Sequence, residues 1–331
     1  MPSPPILHAR VFRILPASSL VLGAMLFAAC QDSPVAPPAT RPALVGSLSE
    51  RGGSPSETFT FTPIDVQGAV ATQAWGINAR GDIVGSYIDA AGRSHGYLLR
   101  EGEFTTIDFS AIANTEARGI SPDGEIVGIY WLPGEPAVNL HGFMRAKNGA
   151  FVAVPDPPHI STVAQRILPD GTILGCRHDA DQMSTMRGIV VSNDGSIAEL
   201  SELSEFGSMA NGGTPDHRRV VGFYYPDMAV ATHQEGFLID DGEFSQLHVP
   251  GSTATQAWDM NPAGEIIGFY RTGSGATAVF HGFVLRDDQY ITFDFPGATT
   301  TATRLRGINP RGDIVGTYAV GTVSHGFVAT R

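Results

Sequence analysis

Gly81-Asp82-Ile83-Val84-Gly85, with His95-Gly96-Tyr97 beginning fourteen residues after its first glycine, is a pair of marks that the chain goes on to repeat. The first mark returns as Gly124-Glu125-Ile126-Val127-Gly128, Gly171-Thr172-Ile173-Leu174-Gly175, Gly264-Glu265-Ile266-Ile267-Gly268 and Gly312-Asp313-Ile314-Val315-Gly316, with Arg218-Arg219-Val220-Val221-Gly222 as a degenerate copy. The second returns as His141-Gly142-Phe143, Arg187-Gly188-Ile189, Glu235-Gly236-Phe237, His281-Gly282-Phe283 and His325-Gly326-Phe327. Successive first marks are 43, 47, 47, 46 and 48 residues apart, so the unit is about 46 residues long. A period in that range decides the fold before any local reading does.

Within a unit, four short runs rich in β-branched and aromatic residues are separated by turn residues, which reads as four strands. In the first unit they are Gln73 to Asn78, Asp82 to Tyr87, His95 to Arg100 and Phe104 to Phe109. Ser-Pro-Asp-Gly, Leu-Pro-Asp-Gly and Asn-Pro-Arg-Gly stand between the first two strands of three units; proline presets φ there and glycine supplies a positive φ. No run has apolar residues at helical spacing. Six such units predict an all-β, six-bladed β-propeller over 57–331. The chain ends give an independent sign. The sixth unit stops at Arg331 after its third strand, while a spare fourth strand, Phe59-Thr60-Phe61-Thr62-Pro63-Ile64-Asp65-Val66, precedes the first unit. The N-terminal strand is therefore expected to complete the last blade and leave no open sheet edge. A linear β-solenoid is the competing architecture, but its rungs are shorter and need no permuted strand.

These units resemble the bacterial extracellular repeats of the HAF family, named for a His-Ala-Phe triplet that stands here as His-Gly-Phe or His-Gly-Tyr beside the Gly-x-Ile-Val-Gly element. The resemblance covers residues 57–331 and implies an exported, repeat-built protein. It brings no established reaction, so no catalytic residue is carried over. The third and fourth units depart from the pattern, with Arg187 and Glu235 in place of the histidine.

Residues 1–29 hold Arg10 and Arg13, no acid, and an apolar run from Leu20 to Ala29, too short to span a bilayer as a helix. Leu26-Phe27-Ala28-Ala29-Cys30 resembles the lipobox of bacterial lipoproteins, with Phe27 departing from the usual leucine. This implies a signal peptide over 1–29, lipidation of Cys30 and attachment to the cell envelope by that lipid alone. Gln31 after the cysteine points to the outer membrane. Residues 30–56, rich in Pro, Ser, Ala and Gly without an apolar period, read as a disordered tether.

With 21 Lys and Arg against 33 Asp and Glu the chain carries a net charge of −12, and without the first 29 residues 19 against 33 remain. The absence of a basic cluster argues against nucleic acid as a partner. Two cysteines with no metal-ligand spacing argue against a disulfide framework and a zinc–thiolate centre; Cys176 reads as a small buried residue.

Four histidines at one repeated position, His95, His141, His281 and His325, are expected to be local hydrogen-bonding devices, since blade symmetry holds the copies apart. Asp82, Glu125, Glu265 and Asp313 are expected to bond nearby backbone amides. Function on a repeat fold belongs to what breaks the repeat. The loops between second and third strands, with those joining blades, share one face and bring together Trp131, His159, Arg177, His178, Asp179, Asp181, Tyr224, Tyr225, Asp227, His233, Tyr270 and Arg271. Such aromatic, imidazole and carboxylate groups suit a glycan or peptide ligand. No cofactor is expected; a divalent metal or an acid/base pair at His159, His178, Asp179 and Asp181 is the subordinate reading, without the spacing of a calcium loop. Trp75, Arg118, Gln165, Asn211, Trp258 and Arg306 share one position on the innermost strands, where they either reach the central channel or pack between blades. Arg166 and Asp259 replace the glycine found at 76, 119, 212 and 307. Taken together the sequence predicts a monomeric envelope lipoprotein that binds a ligand or protein partner through its loop rim without catalysis. The alternative is an extracytoplasmic hydrolase or lyase acting on a polysaccharide or lactone at the channel mouth.

Overall fold

The computed structural model describes residues 58–331, less 137–138, 155–158, 160, 180–183, 228–229 and 299–301, together with two short strands, Pro34–Val35 and Leu44–Ser47. Residues 1–29, read above as a signal peptide, Cys30 and the rest of the 30–56 stretch lie outside them.

Six antiparallel sheets follow one another round a ring, each packed on the next, as a six-bladed β-propeller. The innermost strands of blades 1 to 6 are Ala71–Ile77, Asn114–Ile120, Ser161–Ile167, Ser208–Gly213, Ala254–Met260 and Arg304–Ile308. Blade 6 is closed by the N-terminal strand Thr58–Ile64, whose Ile64 lies opposite Gly326 and Phe61 opposite Ala329. The expected permutation is thus present. Pro34–Val35 and Leu44–Ser47 add outermost strands to blades 1 and 6, within the stretch read as a tether.

The coupling of the two repeated marks has a steric cause. The second glycine of the first mark lies directly across from the aromatic residue of the second: Gly85 opposite Tyr97, Gly128 opposite Phe143, Gly222 opposite Phe237, Gly268 opposite Phe283 and Gly316 opposite Phe327. Each ring lies over its glycine and is fully buried. A Cβ at Gly85 would stand 2.4 Å from the Tyr97 ring and 2.0 Å from the carbonyl oxygen of Gln73, so no larger residue fits. The covered glycine exposes no backbone and the ring gains a flat seat. The core lies between blades. One apolar cluster joins Val84 and Ile107 of blade 1 to Ala117, Ile126 and Phe143 of blade 2, and another joins Phe293 of blade 5 to Phe61 and Phe327 of blade 6.

The repeated histidines form a shelf on the outer half of the blades. His95, His281 and His325 each place Nδ1 against the carboxylate that follows the fourth strand, Asp108 at 2.9 Å, Asp294 at 2.7 Å and Asp65 at 2.7 Å. Each ring stacks on the cross-strand tyrosine of the second strand, Tyr87, Tyr270 or Tyr318. His141 stacks on Tyr130 and turns to Glu135 instead. In blade 4 the pair is exchanged: Glu235 holds the histidine's position and His248 the acid's, 2.9 Å apart. The histidines are thus local devices, and the polarity of the pair is interchangeable. For His95 the Asp108 hydrogen bond outweighs burial and holds the imidazolium form above its ordinary pKa.

The acids after the turn glycines bond differently from expectation. The turn asparagine serves the backbone: Asn78 Oδ1 accepts the N–H groups of Arg80 and Asp82, and Asn309 Oδ1 those of Arg311 and Asp313. The carboxylates are left to bind side chains, Asp82 to Asn78 Nδ2 and, at 3.0 Å, to the Arg100 guanidinium. Burial works against ionisation of Asp82, but these donors hold its carboxyl below the ordinary range. An asparagine already in the tight turn reaches its own backbone, whereas the acid, one strand start further on, reaches the arginine of the third strand.

Candidate functional site

Successive residues of a strand point to opposite faces, so neighbours in the variable stretches separate in space. Tyr224 is buried with its ring against Phe206 and Phe244, and Tyr270 stacks on His281 and bonds Thr292; both belong to blade packing. Tyr225, one residue on, turns inward, and its hydroxyl accepts Gln234 Nε2 at 2.9 Å. Arg177 reaches Glu199, Arg271 reaches Thr253 and the carbonyl of Thr232, and Asp227 is exposed. His233 meets the buried Glu235 at 3.1 Å. In blade 3, His159 Nδ1 lies 3.2 Å from Asp179, but His178 is 2 % exposed and its Nδ1–H donates to the Asp179 carbonyl, so it turns away from the pair. Asp181 lies outside the described residues, among which no group of three or more His, Cys, Asp and Glu is placed to hold a metal ion. Cys176 is buried and its thiol is pushed up to about 12, which keeps it protonated and inert.

The axis carries the most unusual side chains. Each innermost strand has a β-bulge at one equivalent place, and the bulged residues are Trp75, Arg118, Gln165, Asn211, Trp258 and Arg306. Blades that are not neighbours touch only at the axis, and these residues make such contacts: Trp75 of blade 1 and Trp258 of blade 5 have ring centroids 5.8 Å apart. The Arg306 guanidinium lies 3.8 Å from the centroid of Trp258 and 4.5 Å from that of Trp75. Arg118 completes the layer, bonding Gln165 Oε1 and Glu116 while lying over Trp75. One layer below, the glycines at 76, 119, 212 and 307 let the backbones converge, and a Cβ at Gly212 would come within 2.7 Å of Asp259 Cα. The two side chains in that layer fill it: Arg166 pairs with Asp259 at 2.9 Å and donates to the Arg306 carbonyl. Burial raises the Asp259 carboxyl, opposed by Arg166 and by the backbone N–H of Ile308. The channel is plugged by its own lining.

Two residues before each bulge, on the same side of the strand, stand Gln73, Glu116, Val163, Met209, Gln256 and Arg304; Val163 and Met209 are buried in an apolar cluster, and the half-buried Gln73, Glu116 and Arg304 mark the upper mouth. Between blades 1 and 2 this mouth opens into a cavity of about 310 Å³, walled by Gln73, Ser94, Asn114, Glu116, Tyr87 and Trp131. Of the residues singled out from the sequence, Trp131 alone lines it. Gln73, Glu116 and Arg304 were not singled out, although the two-residue step back from the recurrent axial position marks them. Arg304 lies over Phe280 at 4.1 Å, and burial draws its guanidinium below the ordinary value. Arg306 is drawn down further, by burial first and then by Arg304 and Arg118.

No family model matches the sequence, and no curated protein does. Solved structures do resemble it. TolB from Acinetobacter baumannii matches with 10 % identity over 80 % of this chain at a TM-score of 0.53, and this chain spans 65 % of that one. A fucose-specific lectin from Aleuria aurantia, at 11 % identity, covers 77 % of this chain and 90 % of its own with a TM-score of 0.47. A regucalcin from Agrobacterium tumefaciens, described as a calcium-binding protein, has 11 % identity, covers 79 % and 90 %, and scores 0.46. The likeness is one of fold. At such identity nothing about ligands passes across it. Among the described residues no helix is long and apolar enough to cross a membrane.

Proposed function

We propose that this chain is an exported lipoprotein whose propeller binds a ligand at its upper face without chemistry, and that the cavity between blades 1 and 2 seats a sugar unit of that ligand. The observation that carries this reading is the cavity's composition: the half-buried indole of Trp131 lines it beside its cross-strand neighbour Asn114 and together with the amide of Gln73 and the hydroxyl of Ser94. A saccharide presents C–H groups on its ring face and hydroxyls round its edge, which calls for one aromatic wall and several polar groups. The volume of about 310 Å³ suits a single small unit. Binding is favoured over catalysis because the titratable groups nearby already have ionic partners, Glu116 in Arg118 and His95 in Asp108. The export and lipid anchor rest on residues 1–30 and on the resemblance of the repeats to the HAF family.

A glycan array on the full chain, followed by calorimetry of the best binder, tests the site. Trp131→Ala should weaken that binder about tenfold or more while leaving the melting temperature within a few degrees, and unchanged affinity would remove the cavity from the proposal. For the anchor, Cys30→Ser should move the protein from the membrane pellet to the soluble fraction. A variant that still pellets would sink it.

A further inference from the structure

The arginines on the axis outnumber the acids. Four meet there, Arg118, Arg166, Arg304 and Arg306, and two carboxylates face them. Glu116 is taken by Arg118 and Asp259 by Arg166. Among the described residues no carboxylate pairs with Arg304 or Arg306. Arg306 is 9 % exposed, and its Nε and Nη1 have no hydrogen-bond acceptor; the amide Nε2 of Gln165, in the same layer, has none either. Both tryptophan rings lie against the Arg306 guanidinium, their own centroids 5.8 Å apart, and favour its positive charge. Nε–H and Nη1–H point out in the guanidinium plane, and a guanidinium binds an acceptor in that plane. A water molecule would satisfy an N–H group without balancing the charge. An anion does both. The mouth is moreover a positive spot on a protein whose net charge is −12, so the local field sets it apart from the rest of the surface.

We propose that the axial mouth is an anion site, in which Arg306, with Arg304 above it, binds one compact monovalent anion, a chloride or a carboxylate group, over the Arg166–Asp259 pair. Compactness follows from the near-complete burial of Arg306, and single charge from the difference between the two unpaired arginines, since the half-buried Arg304 stays open to solvent while Arg306 does not. The site is separate from the sugar cavity and stands or falls without it.

The chain has three tryptophans, and two of them border the proposed site, so a heavy halide bound there quenches their emission. The experiment titrates the full chain carrying Trp131→Phe with sodium iodide, ionic strength being held with sodium sulfate. A saturable quench of Trp75 and Trp258 is expected, relieved by chloride or by acetate; relief by chloride alone identifies a halide site, and relief by acetate a carboxylate site. Arg306→Gln should abolish the saturable phase. Should that variant fail to fold by circular dichroism, Arg304→Gln, at the half-buried mouth, should raise the iodide concentration for half-quenching at least about threefold. Quenching that stays linear in iodide, or that is equal with and without Arg304, overturns the proposal.

Discussion

On the outer shelf of the blades the side chains recur, a histidine, an acid and a tyrosine in blade after blade; at the axis only the backbone recurs, and one bulge carries Trp, Arg, Gln, Asn, Trp and Arg in turn. The difference has a physical origin. Each blade has its own shelf, so one solution serves several of them, and even the reversed pair of blade 4 keeps the same contact. All blades share a single axis. Six copies of one side chain there would collide if they were tryptophan and repel if they were arginine, so the blades must differ where they meet. Identity of side chain therefore marks what each blade needs for itself, and diversity at a fixed backbone position marks what the blades make together.

The strongest challenge to that view is steric. Gly222→Val places its Cβ about where Gly222 would put one, 1.9 Å from the Met209 carbonyl oxygen and 2.8 Å from the Phe237 ring. It should cost about 3 kcal/mol or more in a urea melt, since neither backbone nor buried ring can give way. A loss below about 1 kcal/mol would mean that the glycine seat is not what couples the two marks. Next in size is the axial pair. Arg166→Met leaves Asp259 buried without its cation and should destabilise by about 3–5 kcal/mol, whereas Arg166→Met with Asp259→Leu should recover most of that. Equal losses in the single and double variants would show that the pair is held by something other than charge.

The shelf should yield less. Glu235→His alone removes the carboxylate that His233 and His248 share and should cost about 1–2 kcal/mol, while adding His248→Asp restores a pair of the usual polarity and should recover more than half of that loss. A double variant no better than the single would argue that blade 4 needs its exchanged order. The smallest effect is one of pH. His95 is raised by Asp108, so its stabilisation is complete below the unfolded histidine pKa, about 6.5, and fades as pH rises through the higher folded value. The stability gap between the parent and His95→Gln should thus be widest near pH 6 and narrow by pH 9. A gap that widens with pH would contradict the assignment.

The repeat made most of the fold legible. The turn glycines Gly81, Gly124, Gly171, Gly264 and Gly312 all have the positive φ that their Pro-Asp-Gly-like settings announced, and the spare N-terminal strand closes blade 6. The site was legible only in outline. The six axial positions stand out in the sequence as one equivalent place, yet whether they reach the channel depends on a bulge, which is a property of the pairing with the next strand. Tyr224 and Tyr225 read alike as rim aromatics, and strand alternation sends the first into the core and the second toward the mouth. Glu116 carries no mark in the sequence because its significance lies in Arg118 and in a cavity shared with another blade.

What the sequence determined by itself was whatever recurs at short range: the period, the turns, the glycine beneath each ring, the histidine on its shelf and the order in which the ring closes. These follow from local sterics and strand pairing, which every unit repeats. Only the tertiary structure decided that the channel is plugged, that Arg166 meets Asp259 across it and that Arg306 lies against two tryptophans from separate blades. Those contacts join residues as much as 231 positions apart, from Trp75 to Arg306, and arise when the six blades converge on one line.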